Sequence, residues 1–242
     1  MALSDSLISF WELEEASGTR IDSVVASGND LSDGNTVTQN TGKVGNCAQL
    51  TAANAEYLSR ASNASLVTGD IDFSFAGWVY FDSFPSLSDF VSKTDTAQWE
   101  YDLFCNGAGQ IHWYVEGTSS FDQIFIDYAS LSTWIFIAVW HDAVNDRIGG
   151  SINDGTPATH AYGGGVRSTS HPFIIGARSV AGQWLDGRLD QWGFWKKVLS
   201  PAEITQLYNG GAGLSYAAIA GVTSEVWSWN TGTTIRRSRF GG

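Results

Sequence analysis

Charge is scarce in this 242-residue chain: Asp, Glu, Lys and Arg make up 16% of it, against roughly 25% in typical globular proteins. Its surface must rely on Ser, Thr, Asn and Gln for solvation. Basic residues are the scarcer sign, 13 against 25 acidic. The resulting charge of −12 is the wrong sign for gripping phosphate backbones, so no nucleic-acid partner is expected. Long apolar runs are missing too. None approaches the ~18 residues that span a bilayer, and no membrane insertion is expected. Two cysteines make no disulfide framework. Cys47 and Cys105 read as buried small hydrophobes of a chain made in a reducing cytosol, with a bridge between them left open. The start, Met1-Ala2-Leu3-Ser4-Asp5, lacks a basic region, and its first apolar stretch breaks at Glu12. No secretory signal is expected.

What is present is aromatic. Hydrophobic residues reach 43%, and 11 tryptophans stand against one methionine, which excludes a wholly disordered chain and favours a rigid core. Alternation with period two recurs along the chain. Ile71, Phe73, Phe75, Val79 and Phe81 share one face, and Asp72, Ser74, Ala76, Trp78 and Tyr80 the other. Trp99, Tyr101 and Leu103 alternate with Glu100, Asp102 and Phe104, and Ile111, Trp113 and Val115 with His112, Tyr114 and Glu116. Residues 134–140 are apolar on both faces, which predicts a central strand. Further strands are expected at 8–12, 46–50, 56–60, 88–93, 122–128, 147–152, 157–162, 172–176 and 187–195. Asn106-Gly107-Ala108-Gly109, Asn145-Asp146 and Asn153-Asp154-Gly155 read as hairpin connections. About a dozen short strands with regular turns mean an all-β sandwich or barrel, in one large domain.

One helix is expected. Ser200-Pro201-Ala202-Glu203 is a capping box with proline at the first helical position. Ile204, Leu207 and Tyr208 form its buried stripe, and Gly210-Gly211 end it. The chain then changes character, dividing into a body, 1–212, and an arm, 213–242. Val226-Trp227-Ser228-Trp229 and Thr234-Ile235-Arg236-Arg237 suggest a small hairpin. Arg236, Arg237 and Arg239 against Glu225 give the arm +2, which leaves the body at −14. With Trp227 and Trp229, these arginines are candidate assembly contacts to neighbouring subunits. The competing reading is a strand folded back on its own domain.

Several ordered motifs together resemble the laminin-G-like, concanavalin A-like jelly-roll modules over roughly residues 7–210. They include Ile8-Ser9-Phe10-Trp11-Glu12-Leu13 with Asp22-Ser23, then Gly42-Lys43-Val44-Gly45-Asn46, and Asp72-Phe73-Ser74-Phe75-Ala76-Gly77-Trp78-Val79. The most specific runs from Gly187-Arg188-Leu189-Asp190-Gln191-Trp192-Gly193 through Ser200-Pro201-Ala202-Glu203-Ile204. The resemblance implies a two-sheet antiparallel jelly-roll sandwich with one short C-terminal helix and an extended C-terminal arm. Such a fold hosts lectins, adhesion modules, glycosidases and structural proteins alike. It also resembles accessory proteins of tailed-phage particles, assembled in the host cytoplasm and acting on the virion, where a homo-oligomer with exchanged arms is expected.

Catalytic patterns are not evident. Glu12 with Glu14, Asp122 with Asp127, and Asp186 with Asp190 form no compact pair of the kind a retaining glycosidase needs, although acids from different strands could converge. His112, His141, His160 and His171 show no metal spacing. No enzyme activity is expected. The resemblance implies a structural calcium, with Asp22 and Asp190 matching the family's recurrent acids and Asn29 and Asp30 as helpers. The alternative is that Asp22 caps a turn and Asp190 makes a strand-end hydrogen bond. For sugar binding, Trp99, Trp113 and Trp184 lie beside turn-like or Gly/Gln-rich stretches and are the candidate stacking platforms; Trp78, Trp134, Trp140 and Trp192 read as core. The expected role is a non-enzymatic virion accessory protein, as head decoration or fibre component, that binds cell-surface glycans. The alternatives are a stand-alone lectin module and a glycosidase or polysaccharide lyase.

Overall fold

A computed structural model describes residues 2–95, 97–178 and 182–221. The early strands are β1 (Leu7–Trp11), β2 (Ser32–Gly34), β3 (Thr38–Thr41), β4 (Asn46–Leu50) and β5 (Tyr57–Arg60). The middle of the chain forms β6 (Phe73–Phe81), β7 (Leu87–Thr94), β8 (Trp99–Asn106), β9 (Gln110–Glu116) and β10 (Phe121–Tyr128). Then follow β11 (Trp134–Asp142), β12 (Arg147–Ile152), β13 (Ala158–Ala161), β14 (Phe173–Ile175) and β15 (Gly187–Trp195). Among the described residues two antiparallel sheets result. One has eight strands in the order β13-β12-β11-β6-β15-β4-β3, with β1 also paired to β15. The other has seven, β10-β9-β8-β7-β14-β5-β2. This is the all-β jelly-roll sandwich that the alternation and the motifs predicted.

The side-chain period of two explains the layering. Phe73, Phe75, Val79 and Phe81 of β6 point into the space between the sheets, where they meet Tyr101, Leu103 and Trp113 of the opposite sheet. The β6 residues of opposite parity, Ala76 and Trp78, face outward and join a second apolar layer with Phe136, Trp140 and Trp195. The central strand β11 serves both layers, with Ile135, Ile137 and Val139 inside and Phe136, Ala138 and Trp140 outside.

That second layer needs a cover, and the chain supplies one. Helix α1 (Pro201–Tyr208) begins with the expected capping box: Ser200 accepts from the Glu203 amide and Glu203 reaches back to the Ser200 amide. It lays Ile204, Leu207 and Tyr208 over the sheet, with the Tyr208 ring stacked on Trp78. A one-turn helix α2 (Tyr216–Ile219) follows, and Leu214, Tyr216 and Ile219 continue the same cover. Residues just beyond 212 are therefore body rather than arm. Sequence reading missed this because a single turn gives no periodicity to detect. The proposed hairpin, with Trp227, Trp229, Arg236, Arg237 and Arg239, lies outside the described residues.

Two strands escaped the sequence reading. Ser32–Gly34 and Thr38–Thr41 are short and polar, and edge position rather than side-chain pattern makes them strands. Cys47 sits in β4 of the eight-stranded sheet and Cys105 in β8 of the other, and both are buried and free. Burial pushes each thiol up to about 12, so neither carries reactive thiolate at neutral pH.

Candidate binding cleft

The outer faces of the two sheets differ. Strands β7 to β10 turn a row of side chains away from the core, and the register fixes which ones. Asp102 of β8 lies opposite Tyr114 of β9, which lies opposite Gln123 of β10. One rung along, Phe104, His112 and Phe125 form the next row. The rings are in contact: Trp99 packs edge-on against Tyr114, Tyr114 stacks on Phe121, and Phe104 stacks on His112. Phe121, Phe125 and Tyr128 of the edge strand β10 remain 67%, 42% and 57% exposed. Exposed aromatic rings concentrated on one strand face are a mark of an interaction surface.

A cleft of about 340 Å³ opens into this face. Trp99, Phe104, Tyr114 and Phe121 supply its apolar walls, and Asp102, Gln123, Arg178 and Gln183 its polar groups. The Arg178 guanidinium lies 3.9 Å from the Trp99 ring centre and its Nε is 3.8 Å from Asp102 Oδ2. The second distance is too long for a hydrogen bond, so the ion pair is loose. Trp99 is itself anchored, its indole N–H donating to the Asp95 carbonyl at 3.0 Å.

Two carboxyls lie under the cleft. Asp89 of β7 is 0% exposed and Asp102 3%. Among the described residues both oxygens of Asp89 and the Oδ1 of Asp102 have no hydrogen-bond partner. Burial pushes Asp102 up to about 7, opposed by Arg178. Burial and then the Asp102 charge hold Asp89 well above the usual carboxylate range. Burial and mutual repulsion thus both favour the protonated forms of the pair. The segment around Gln183 caps Asp89, whose amide donates to the Gln183 carbonyl at 3.1 Å.

The three tryptophans proposed as sugar platforms have separate fates. Trp99 lines the cleft. Alternation placed it with Tyr101 and Leu103, but the pairing shifts between Lys93, opposite Tyr101, and Thr94, opposite Trp99. This irregularity turns Trp99 to the outer face while Tyr101 and Leu103 stay in the core. Trp113 is not a platform: it is wholly buried between the sheets and donates to the Trp140 carbonyl. Parity with Ile111 and Val115 puts it there. Trp184 is half-buried beside Gln183, outside the cleft lining, with its Nε1 unpartnered among the described residues.

The acids expected to hold calcium are arranged otherwise. Asp22 is saturated with donors: the amides of Phe10, Val24 and Asn29 and the Ser27 hydroxyl all point at its carboxylate. A carboxylate so surrounded organises a turn and does not fit a cation. Asp190 accepts the Lys43 and Val44 amides at 2.6 and 2.8 Å, while its other oxygen has no partner among the described residues. Burial pushes it up to about 7. Among the described residues no group of three or more His, Cys, Asp or Glu is placed to hold a metal.

Sequence reasoning missed Asp89, Asp102, Tyr114, Phe121 and Arg178. Their face parity in β8 to β10 was a usable signal for three of them. Arg178 comes from the loop after β14, and no spacing in the sequence joins it to Trp99.

A two-sheet jelly roll with an aromatic-walled cleft on one outer face is a sandwich of the concanavalin A-like class. Residues 52–205 match the family described as the concanavalin A-like lectin/glucanases superfamily, and the chain belongs to it. No curated protein matches the sequence. Among solved structures, the binding domain of Paraclostridial Mosquitocidal Protein 1 is similar, with a TM-score of 0.72 at 16% identity, over 86% of this chain and 53% of that one. The binding domain of botulinum neurotoxin serotype G gives 0.67 at 15%, over 84% and 50%. The chain thus spans about half the length of these two. Domain 4 of AbnA, an extracellular arabinanase of Geobacillus stearothermophilus solved with arabinotriose, gives 0.65 at 15% identity, over 83% of this chain and 97% of that one. At these identities the likeness is one of fold.

Proposed function

We propose that this protein is a non-enzymatic, lectin-like binding module whose cleft on the outer face of the seven-stranded sheet holds a saccharide. The observation that carries the reading is the combination of ring faces and hydrogen-bonding groups around one 340 Å³ cleft. Sugars present apolar C–H faces and a rim of hydroxyls, and such a cleft meets both. Asp89 and Asp102 do not make it a hydrolase site, because Asp89 is wholly buried and is not part of the cleft lining. The likeness to toxin binding domains and to an arabinanase domain solved with a trisaccharide supports a binding role. Titration against a glycan array and by tryptophan fluorescence tests it. Trp99→Ala should weaken any glycan signal at least about tenfold, the loss of roughly 1.4 kcal/mol, without shifting the melting temperature by more than a few degrees. Glycan binding untouched by Trp99→Ala, or hydrolysis of any bound polysaccharide, would overturn the reading.

The finer placement follows from the resemblance. The module serves on a tailed-phage particle, as head decoration or fibre component, with homo-oligomer contacts made by the arm. Removing residues 222–242 should leave the body folded and abolish assembly; unchanged particle incorporation would refute it.

A further inference from the structure

We propose that the cleft selects a saccharide bearing a carboxylate, read by Arg178. This rests on the cleft being the saccharide site. Among the described residues Arg178 is the one cation lining it, and the neighbouring Trp99 ring holds its guanidinium at the wall. A guanidinium in an aromatic cleft binds a carboxylate through paired, charge-assisted hydrogen bonds. The usual obstacle is an internal partner that already occupies the arginine. Here the nearest acid among the described residues, Asp102, stands 3.8 Å from Nε and shares its buried surroundings with Asp89, which burial holds well above the usual carboxylate range. The two carboxyls therefore leave Arg178 less than fully compensated while they remain protonated. A chain of −12 repels long polyanions, so the fitting ligand carries isolated carboxylates, as a single uronic or sialic acid residue does.

A pH dependence follows. As Asp102 ionises near 7, it competes for Arg178 and repels the ligand, so affinity falls as pH rises. The other titratable groups near the site are His112, Tyr114, Glu116, Asp95 and His171. Burial lowers His112 and raises Tyr114. Glu116 is held by Arg167 at 2.7 Å. Asp95, which anchors Trp99 through its carbonyl, faces His171 and is lowered by the Ala97 and Gln98 amides.

The test is calorimetry with sialic- and uronic-acid oligosaccharides, each measured beside its carboxyl-reduced counterpart. The acid forms should bind about tenfold or more tightly at pH 6. Arg178→Gln should erase that preference while the reduced forms still bind in a Trp99-dependent way; Arg178→Lys should keep part of it. Affinity should fall several-fold between pH 6 and 8.5, and Asp102→Asn should flatten the fall. Equal binding of the two forms, or a preference that survives Arg178→Gln, would overturn the inference and leave the saccharide site standing. Absence of binding by either form would overturn both.

Discussion

The two outer faces of this sandwich are built from the same kind of residue and end differently. On the eight-stranded sheet, Trp78, Phe136, Trp140 and Trp195 lie beneath α1, α2 and Leu3. On the seven-stranded sheet, Trp99, Phe121, Phe125 and Tyr128 line a cleft or face solvent. Covered rings contribute stability through buried area, roughly 1.5–3 kcal/mol for each large side chain. Uncovered rings contribute little of that, and their hydrophobic energy is still available to a ligand. Composition counts both sets alike; what separates them is whether the described part of the chain returns over the face.

That contrast can be broken from either side. The largest expected effect is on the covered face: Trp78→Ala, which removes a ring stacked on Tyr208, should cost about 3–5 kcal/mol. Chemical denaturation checks this, and glycan affinity of the folded fraction should not change. A cost below about 1 kcal/mol would mean that the helical cover is not integral to the fold.

Next comes pH, which sharpens the comparison because each sheet carries a buried carboxyl near 7, Asp190 and Asp102. A carboxyl raised on folding contributes stability that is fully present below about pH 4 and is lost as pH rises through about 7. Stability should therefore decline between about pH 4 and 7 and level off above. For Asp190 the loss is on the order of 2–4 kcal/mol, and Asp190→Asn should remove that share. Urea melts across pH measure both. The smallest effect belongs to the open face. Phe125→Ser should change stability by no more than about 0.5 kcal/mol, since the ring is already partly in water.

Much of the fold was legible because its signals are local. The alternation of Phe73, Phe75 and Val79 against Ala76 and Trp78 matched the two layers, and the Ser200–Glu203 box marked the helix start. The candidate site was less legible. Trp99 was identified, but the reason for its exposure is a pairing irregularity with Thr94 that parity counting does not foresee. Trp113 was misassigned by nearness to a turn, although its own alternation with Ile111 and Val115 placed it inside.

By itself the sequence determined strand periodicity, the hairpin turns, the helix cap and family membership, all set by residues close together in the chain. Only the tertiary structure decided which aromatic face is covered, and that Asp102 and Arg178 share one cleft with Asp89 buried beneath it. Those three come from β7, β8 and the loop after β14, joined across sheet rungs rather than along the chain. Burial at that junction, which no local pattern encodes, is what moves the carboxyls toward neutrality.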